Sequence, residues 1–348
     1  MRENSIFMRY IDNYPLLGHN TFGMDVRAAA FFEYETADEL RKFIQSPHFA
    51  RFADRHLAIG SGSNLLFGGD YDGLLMHSAI RDYEVVEDDG NRVLLRVGSG
   101  CIWDDVVAWC VKEGLGGAEN LTAIPGEVGA AAVQNIGAYG QEVCNLITSV
   151  ETIDILGNIR QFSKEDCRYG YRDSIFKNEL KDKYFVTYVT LSLQHTPTLH
   201  LDYGPLREEL KADVLGHAPT IADVRKAIAG IRASKLPDPA VTGNAGSFFK
   251  NPVIPLDHYL HLKDVWQSIP SYTVDENHVK VPAAWLIEQC GWKGRSLGRA
   301  AVHDRQALVL VNLGGATGHE VMALAARITA DVERTFGIQI FPEVNYII

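Results

Sequence analysis

Ser247 lies in the middle of Gly243–Pro252, which reads Gly-Asn-Ala-Gly-Ser-Phe-Phe-Lys-Asn-Pro. Gly243, Asn244 and Gly246 tolerate positive φ and let backbone approach a ligand closely. They surround one hydroxyl, with Pro252 fixing the exit of the chain. The same hydroxyl can satisfy its own backbone in a tight turn, and the stretch alone leaves both readings open. It is too irregular for a helix and too rich in Gly and Asn for a central strand. Arg172 stands in the polar-aromatic run Arg168-Tyr-Gly-Tyr-Arg-Asp-Ser-Ile-Phe176. Its planar fork suits a carboxylate, or simply Asp166 or Asp173. Glu343 is a carboxylate in an apolar C-terminal segment, placed either at a rim or in a dry pocket. Lys235 is a point charge for an anion or a solvated cation at a helix end. Tyr203 falls in a Leu-Asp-Tyr-Gly-Pro turn.

Two glycine-rich stretches add backbone donors. Gly60-Ser-Gly-Ser-Asn64 follows the apolar run Leu57-Ala-Ile59. A turn of this kind after a strand cradles phosphate through its N–H groups. It is not a dinucleotide fingerprint, because Gly68-Gly-Asp70 prevents a helix from following. In Ile124–Glu142, glycines at 126, 129, 137 and 140 punctuate small side chains. Backbone so stripped suits a flat cofactor or a pyrophosphate, or closely packed turns.

These groups must be positioned by ordinary elements. Ala37, Leu40, Phe43 and Ile44 have helical spacing, and Leu57–Ile59 reads as a short buried strand. Tyr83–Glu87 with Arg92–Val97, and Val150–Leu156 with Ile159–Phe162, read as hairpins around polar turns. Trp103–Glu113 reads as a helix stopped by Gly114, and Tyr184–Leu193 as a strand. Thr220 caps a helix over 220–233 with Asp223 three residues on, and Pro237 and Pro239 follow as a linker. Helices over 281–290 and 317–336 and a strand over 307–311 follow.

The chain has 348 residues, 46% hydrophobic and 22% charged, which fits a globular protein of two or three domains. A net charge of −11 argues against a nucleic-acid backbone or an anionic membrane as partner. The five cysteines form no C-x-x-C pair, which points to reduced thiols, no zinc site and a cytoplasmic location. The N-terminal residues lack the pattern of a secretion signal, and no apolar run reaches the ~18 residues of a membrane span.

Taken in order, these motifs resemble the UDP-N-acetylenolpyruvoylglucosamine reductases, flavoenzymes of peptidoglycan synthesis. The resemblance runs from Asn20-Thr-Phe-Gly23 to Pro342-Glu-Val344, through Gly60–Asn64, Ile124–Glu142, Arg168–Lys177, Lys235–Asp238, Gly243–Pro252 and Ala301–Asn312. The Tyr203 turn resembles the longer form of the family, which carries a tyrosine loop. The resemblance implies an α+β fold: an FAD-binding PCMH-type module of two subdomains, then a C-terminal α+β substrate-binding domain. The implied boundaries are 1–78 with 343–348, 79–235, and 236–342. It implies non-covalent FAD, NADPH as reductant, UDP-N-acetylglucosamine-enolpyruvate as substrate, and a cytoplasmic monomer in cell-wall biogenesis.

Residue by residue, the resemblance puts Gly60, Ser61, Gly62, Ser63 and Asn64 on the FAD, with Pro125, Gly126, Gly129, Ala131, Gln134, Asn135, Gly137, Ala138 and Tyr139. Arg172, Ser247 and Glu343 match catalytic positions; Tyr203, Arg232, Lys235, Asn251 and Gln289 match substrate contacts. Ala130-Ala-Ala132 stands where some relatives have serines, which puts one side-chain contact to the flavin in question. In the implied reaction, hydride from the flavin adds to the enolpyruvyl CH2 carbon and negative charge spreads into the substrate carboxylate. Arg172 would stabilise that charge, Glu343 would act protonated or by orienting a donor, and Ser247 would protonate the carbanion. Two rivals stand beside this reading. One is an oxidase on the same module, with His56 near the first glycine-rich turn as an attachment point. The other is a nucleotide-sugar-binding protein without catalysis.

Overall fold

The computed structural model describes residues 9–211 and 216–348; the N-terminal stretch judged for a secretion signal begins outside them. The described residues form two compact units, one of 9–14, 28–61 and 72–234, the other of 15–27, 62–71 and 235–348. No helix among them is long and apolar enough to cross a membrane.

The first unit holds two sheets. In one, the strands Tyr10–Pro15, Arg27–Tyr34, Tyr71–Ser78 and His56–Ile59 lie side by side in that order. The His56–Ile59 strand is an edge strand and not fully buried: His56 and Ile59 are buried, and Ala58 is exposed. The other sheet is antiparallel, in the order Ile159–Ser163, Ile147–Asp154, Tyr184–Gln194, Arg92–Gly98 and Tyr83–Asp88. Both expected hairpins are present in it. Tyr184–Gln194 buries every second residue, the period of a strand with one covered face. Val189, Leu191 and Leu193 pack there with Trp103, Val107 and Cys110 of the Trp103–Lys112 helix and with Val128, Ala131 and Ala132.

The Ile124–Glu142 stretch is more regular than its glycines suggest. It contains a helix, Val128–Gln134, and a tiny hairpin of Gly137–Ala138 with Gln141–Glu142. Alanine favours helix, and Gly129 lets that helix lie against Ser99, where a Cβ would sit 2.7 Å from the serine Cβ. The helix capped by Thr220 and Asp223 runs over Ile221–Lys235, with both arms of the capping box formed.

In the second unit, Gly243–Ser247, Val309–Asn312, Ala300–Val302 and Ser296–Leu297 make a sheet, and the Gly318–Phe336 helix belongs to the same unit. That helix starts in a Thr317–Glu320 capping box and stops at Gly337, at φ 64°. A smaller sheet joins Val253–Pro255, His278–Lys280 and Tyr272–Thr273. The Leu256–Val265 helix, unremarked in the sequence, buries only Tyr259, so it has little apolar signal to read. Leu65–Phe67 pairs in parallel with the terminal strand Asn345–Ile347.

Candidate active site

Ser247 ends an edge strand whose ladder with Val309–Asn312 is irregular. Asn244 pairs with Val311 and Ser247 with Val309, so three steps on one strand face two on the other. This is a bulge, and bulges re-aim the side chain that follows. Gly246 supplies the positive φ it needs, 68°. Asn244 locks it: its Oδ1 accepts the Gly246 N–H at 2.9 Å, and its Nδ2 donates to Thr242 O at 2.8 Å. Phe248 and Phe249 are buried and anchor the far side, so Ser247 stands exposed between two fixed points.

The backbone of Glu343 runs beside this strand. Its N–H donates to Phe248 O at 2.8 Å, and the Lys250 N–H donates to Phe341 O at 2.9 Å. Glu343 is half-buried, and its carbonyl accepts from Asn64 Nδ2 at 3.3 Å. The second unit therefore brings Ser247, Glu343 and Asn64 together. Asn251 Oδ1 accepts the N–H of Ala283 at 2.9 Å at the start of the Ala283–Gln289 helix, so what it can offer a ligand is its amide donors. Gln289 is the exposed last residue of that helix, and Lys235 the exposed last residue of its own.

Arg172 is placed by the first unit. Its Nη1 donates to Asn135 O at 3.3 Å and its Nη2 to Gly137 O. Glu142 lies 4.0 Å away. Gly137 makes room for the guanidinium: a Cβ there would stand 2.7 Å from Nη1. Of the acids the sequence offered it, Asp166 and Asp173 each have partners of their own. Asp166 accepts from Ser163, and Asp173 accepts from Asn178. Arg172 itself has φ 55°, and Ala123, Asn135, Tyr139 and Arg168 are also left-handed, an unusual concentration of strained backbone.

Asn135 is buried and holds this corner, donating to Glu142 Oε2 at 3.0 Å and Gly170 O at 2.8 Å. Gln134 accepts from Lys177 Nζ at 3.0 Å. Neither Lys177 nor Glu142 was singled out from the sequence, although both close motifs read there. Arg232 Nε donates to Ala123 O at 3.1 Å, and burial pulls its pKa below the usual arginine value against the influence of Tyr139 and Asp104. The Tyr203 ring meets that of Tyr139 edge-on at 5.3 Å. Tyr203 precedes the short Gly204–Glu209 helix instead of closing a simple turn.

The glycine-rich segments fit a diphosphate-bearing flavin. Among the described residues nothing accepts the N–H of Ser61 or Gly62, the donors such an anion would use. A Cβ at Gly60 would lie 3.1 Å from Glu127 Oε2 and 3.2 Å from Ala130 Cβ, so the turn sits against the Val128–Gln134 helix. Ser63 follows in the turn, Pro125 is exposed, and Gly126 O accepts the Trp103 N–H at 3.0 Å. Ala130 faces the turn, while Ala131 and Ala132 are buried in the core. His56 is fixed structurally, with Nδ1 3.0 Å from Ala53 O and Nε2 2.9 Å from Asp182 O.

Comparison with known proteins bears on these arrangements. Residues 28–163 match the FAD binding domain family, and residues 238–347 match the family of the C-terminal domain of UDP-N-acetylenolpyruvoylglucosamine reductase. The UDP-N-acetylenolpyruvoylglucosamine reductase of Bacteroides fragilis is 51% identical over 96% of this chain and 99% of its own. That of Porphyromonas gingivalis is 45% identical over 97% of this chain and 98% of its own. The crystal structure of the reductase (MurB) from Thermus caldophilus has the same fold, with a TM-score of 0.67 and 22% identity over 97% of each chain. The fold class is thus an FAD-binding module followed by the C-terminal domain of that family.

Proposed function

The chain belongs to the UDP-N-acetylenolpyruvoylglucosamine reductase family, and from that premise we propose the reaction it performs. It is an oxidoreductase that reduces the enolpyruvyl group of UDP-N-acetylglucosamine-enolpyruvate to give UDP-N-acetylmuramate, in the cytoplasm and as a monomer. FAD is held non-covalently, and NADPH is the reductant. Residues 1–78 with 343–348, and 79–235, make the flavin subdomains; 236–342 make the substrate domain. The observation that carries this reading is the bulge that presents Ser247, exposed, from a strand whose neighbours are buried and alongside which Glu343 runs.

The flavin, when bound at Gly60–Asn64 and Pro125–Tyr139, supplies the hydride. The remaining work falls to side chains. Arg172, its plane fixed by two carbonyls, stabilises the charge that develops on the substrate carboxylate. Preorganisation matters there because a donor already oriented need not reorganise as charge appears. Ser247 gives its proton to the carbanion; a hydroxyl is a weak acid, but a carbanion is a strong base. Glu343 assists as an acid or by orienting a donor. Tyr203, Arg232, Lys235, Asn251 and Gln289 bind the UDP-sugar, offering local cations and amides in a chain of net charge −11.

The purified protein is expected to be yellow, with the absorption of oxidised flavin. Acid precipitation should leave the colour in the supernatant, since His56 is occupied by backbone carbonyls and offers no attachment. Colour retained in the washed pellet would favour the oxidase type, and a colourless protein would favour a binding protein without catalysis.

A further inference from the structure

Glu33, His77 and Glu127 form a row that the reaction above does not use. His77 is on the Tyr71–Ser78 strand, in register with Ile59, the residue before Gly60. Its Nδ1 lies 2.8 Å from Glu33 Oε2 and its Nε2 3.0 Å from Glu127 Oε1. His77 and Glu127 are each 4% exposed. Carboxylates only accept hydrogen bonds, so the imidazole satisfies both at once only with a proton on each nitrogen. Burial opposes that charge, but the hydrogen bonds and charges of Glu127 and Glu33 prevail and raise the His77 pKa above the ordinary histidine value. Glu127 has a second contact: its Oε2 sits where a Cβ at Gly60 would come within 3.1 Å. It also directly precedes the Val128–Gln134 helix.

We propose that His77 is a positioning residue for the flavin: as a cation it holds Glu127, and with it the Gly60 turn and the start of the Val128–Gln134 helix, in the geometry that binds FAD. The inference rests on the reading that these two segments hold the flavin. The other groups facing the row are Arg9, Tyr14, Tyr34 and Cys101. Arg9 pairs with Glu33 at 3.2 Å, and Tyr14 faces Glu33 with its pKa raised by burial and by that carboxylate. Tyr34 and Cys101 face Glu127; burial raises the tyrosine, and pushes the thiol up to about 11. A histidine raised in the folded state contributes fully below its ordinary value of about 6.5, and the contribution is lost as pH rises through the folded value.

The test titrates FAD into flavin-free protein, followed by fluorescence quenching over about pH 6 to 9, with His77 imidazole shifts read in parallel by NMR. Wild-type affinity should fall as His77 deprotonates. His77→Gln should bind roughly tenfold more weakly at the acid end, the loss of one charged hydrogen bond, and without pH dependence. Glu127→Gln removes a charge that favours the imidazolium, so the fall should move to lower pH. A pH-independent wild-type affinity, or a His77→Gln profile equal to that of wild type, overturns the proposal. If circular dichroism shows His77→Gln unfolded, Glu127→Gln decides, and an unshifted profile overturns it. Wild-type protein that binds no FAD at any pH overturns the flavin reading instead.

Discussion

Lys235 ends its helix exposed, where the last carbonyls favour a cation and where a diphosphate has access. In the proposed binding role, an ammonium there would hold ground state and transition state alike. Lys235→Ala is therefore expected to raise KM for the UDP-sugar roughly 10- to 100-fold, the worth of a charged hydrogen bond, with kcat little changed. Steady-state kinetics over both substrates would check this; a fall in kcat alone would remove Lys235 from the binding role. Arg172 shows what a sequence hides at this scale. Its residue type announced a carboxylate clamp, but its partners could not be read, because nothing in the sequence signals that an arginine will adopt φ 55°. In the structure its guanidinium meets the carbonyls of Asn135 and Gly137. Glu33 and His77 were equally silent, since a buried charge row is assembled from strands distant in sequence.

The bulge before Ser247 is the element on which the proposed proton transfer depends. Gly246 holds it at φ 68° with open space around a would-be Cβ, so an added methyl meets strain and no clash. Gly246→Ala should cost about 1–2 kcal/mol, the penalty of the left-handed region for a residue with Cβ. The same change should slow substrate-dependent turnover several-fold more than it lowers the melting temperature would explain, because the hydroxyl is re-aimed. Equal activity at unchanged stability would show that the bulge does not set the aim of Ser247. Elements with local signals were legible: hairpins around polar turns, and the Thr220–Asp223 capping box. The Val128–Gln134 helix was not, because its glycines suggested irregular chain. Its stability comes from burying Val128, Ala131 and Ala132 against a sheet made elsewhere in the sequence. The Gly243–Ser247 stretch was judged unfit for a central strand, and it forms an edge strand, where irregular pairing is tolerated.

Over the whole molecule, each compact unit draws on separated segments of chain. Residues 15–27 and 62–71 belong to the unit formed by 235–348. Asn64 meets Glu343 across 279 residues of chain, a contact no local pattern announces. The order of motifs along the chain was nevertheless legible, because each keeps its own composition wherever the fold carries it. The central claim is that Ser247 supplies the proton, and the two half-reactions separate it from every structural alternative. In stopped-flow absorbance, Ser247→Ala should leave NADPH-dependent bleaching of the flavin nearly intact. Re-oxidation by UDP-N-acetylglucosamine-enolpyruvate should slow by roughly 10²–10⁴-fold, the usual contribution of a positioned acid, and Ser247→Cys should recover part of it. Equal slowing of both half-reactions by Ser247→Ala would contradict the account and make the hydroxyl a shaper of the cleft, with the proton coming from elsewhere.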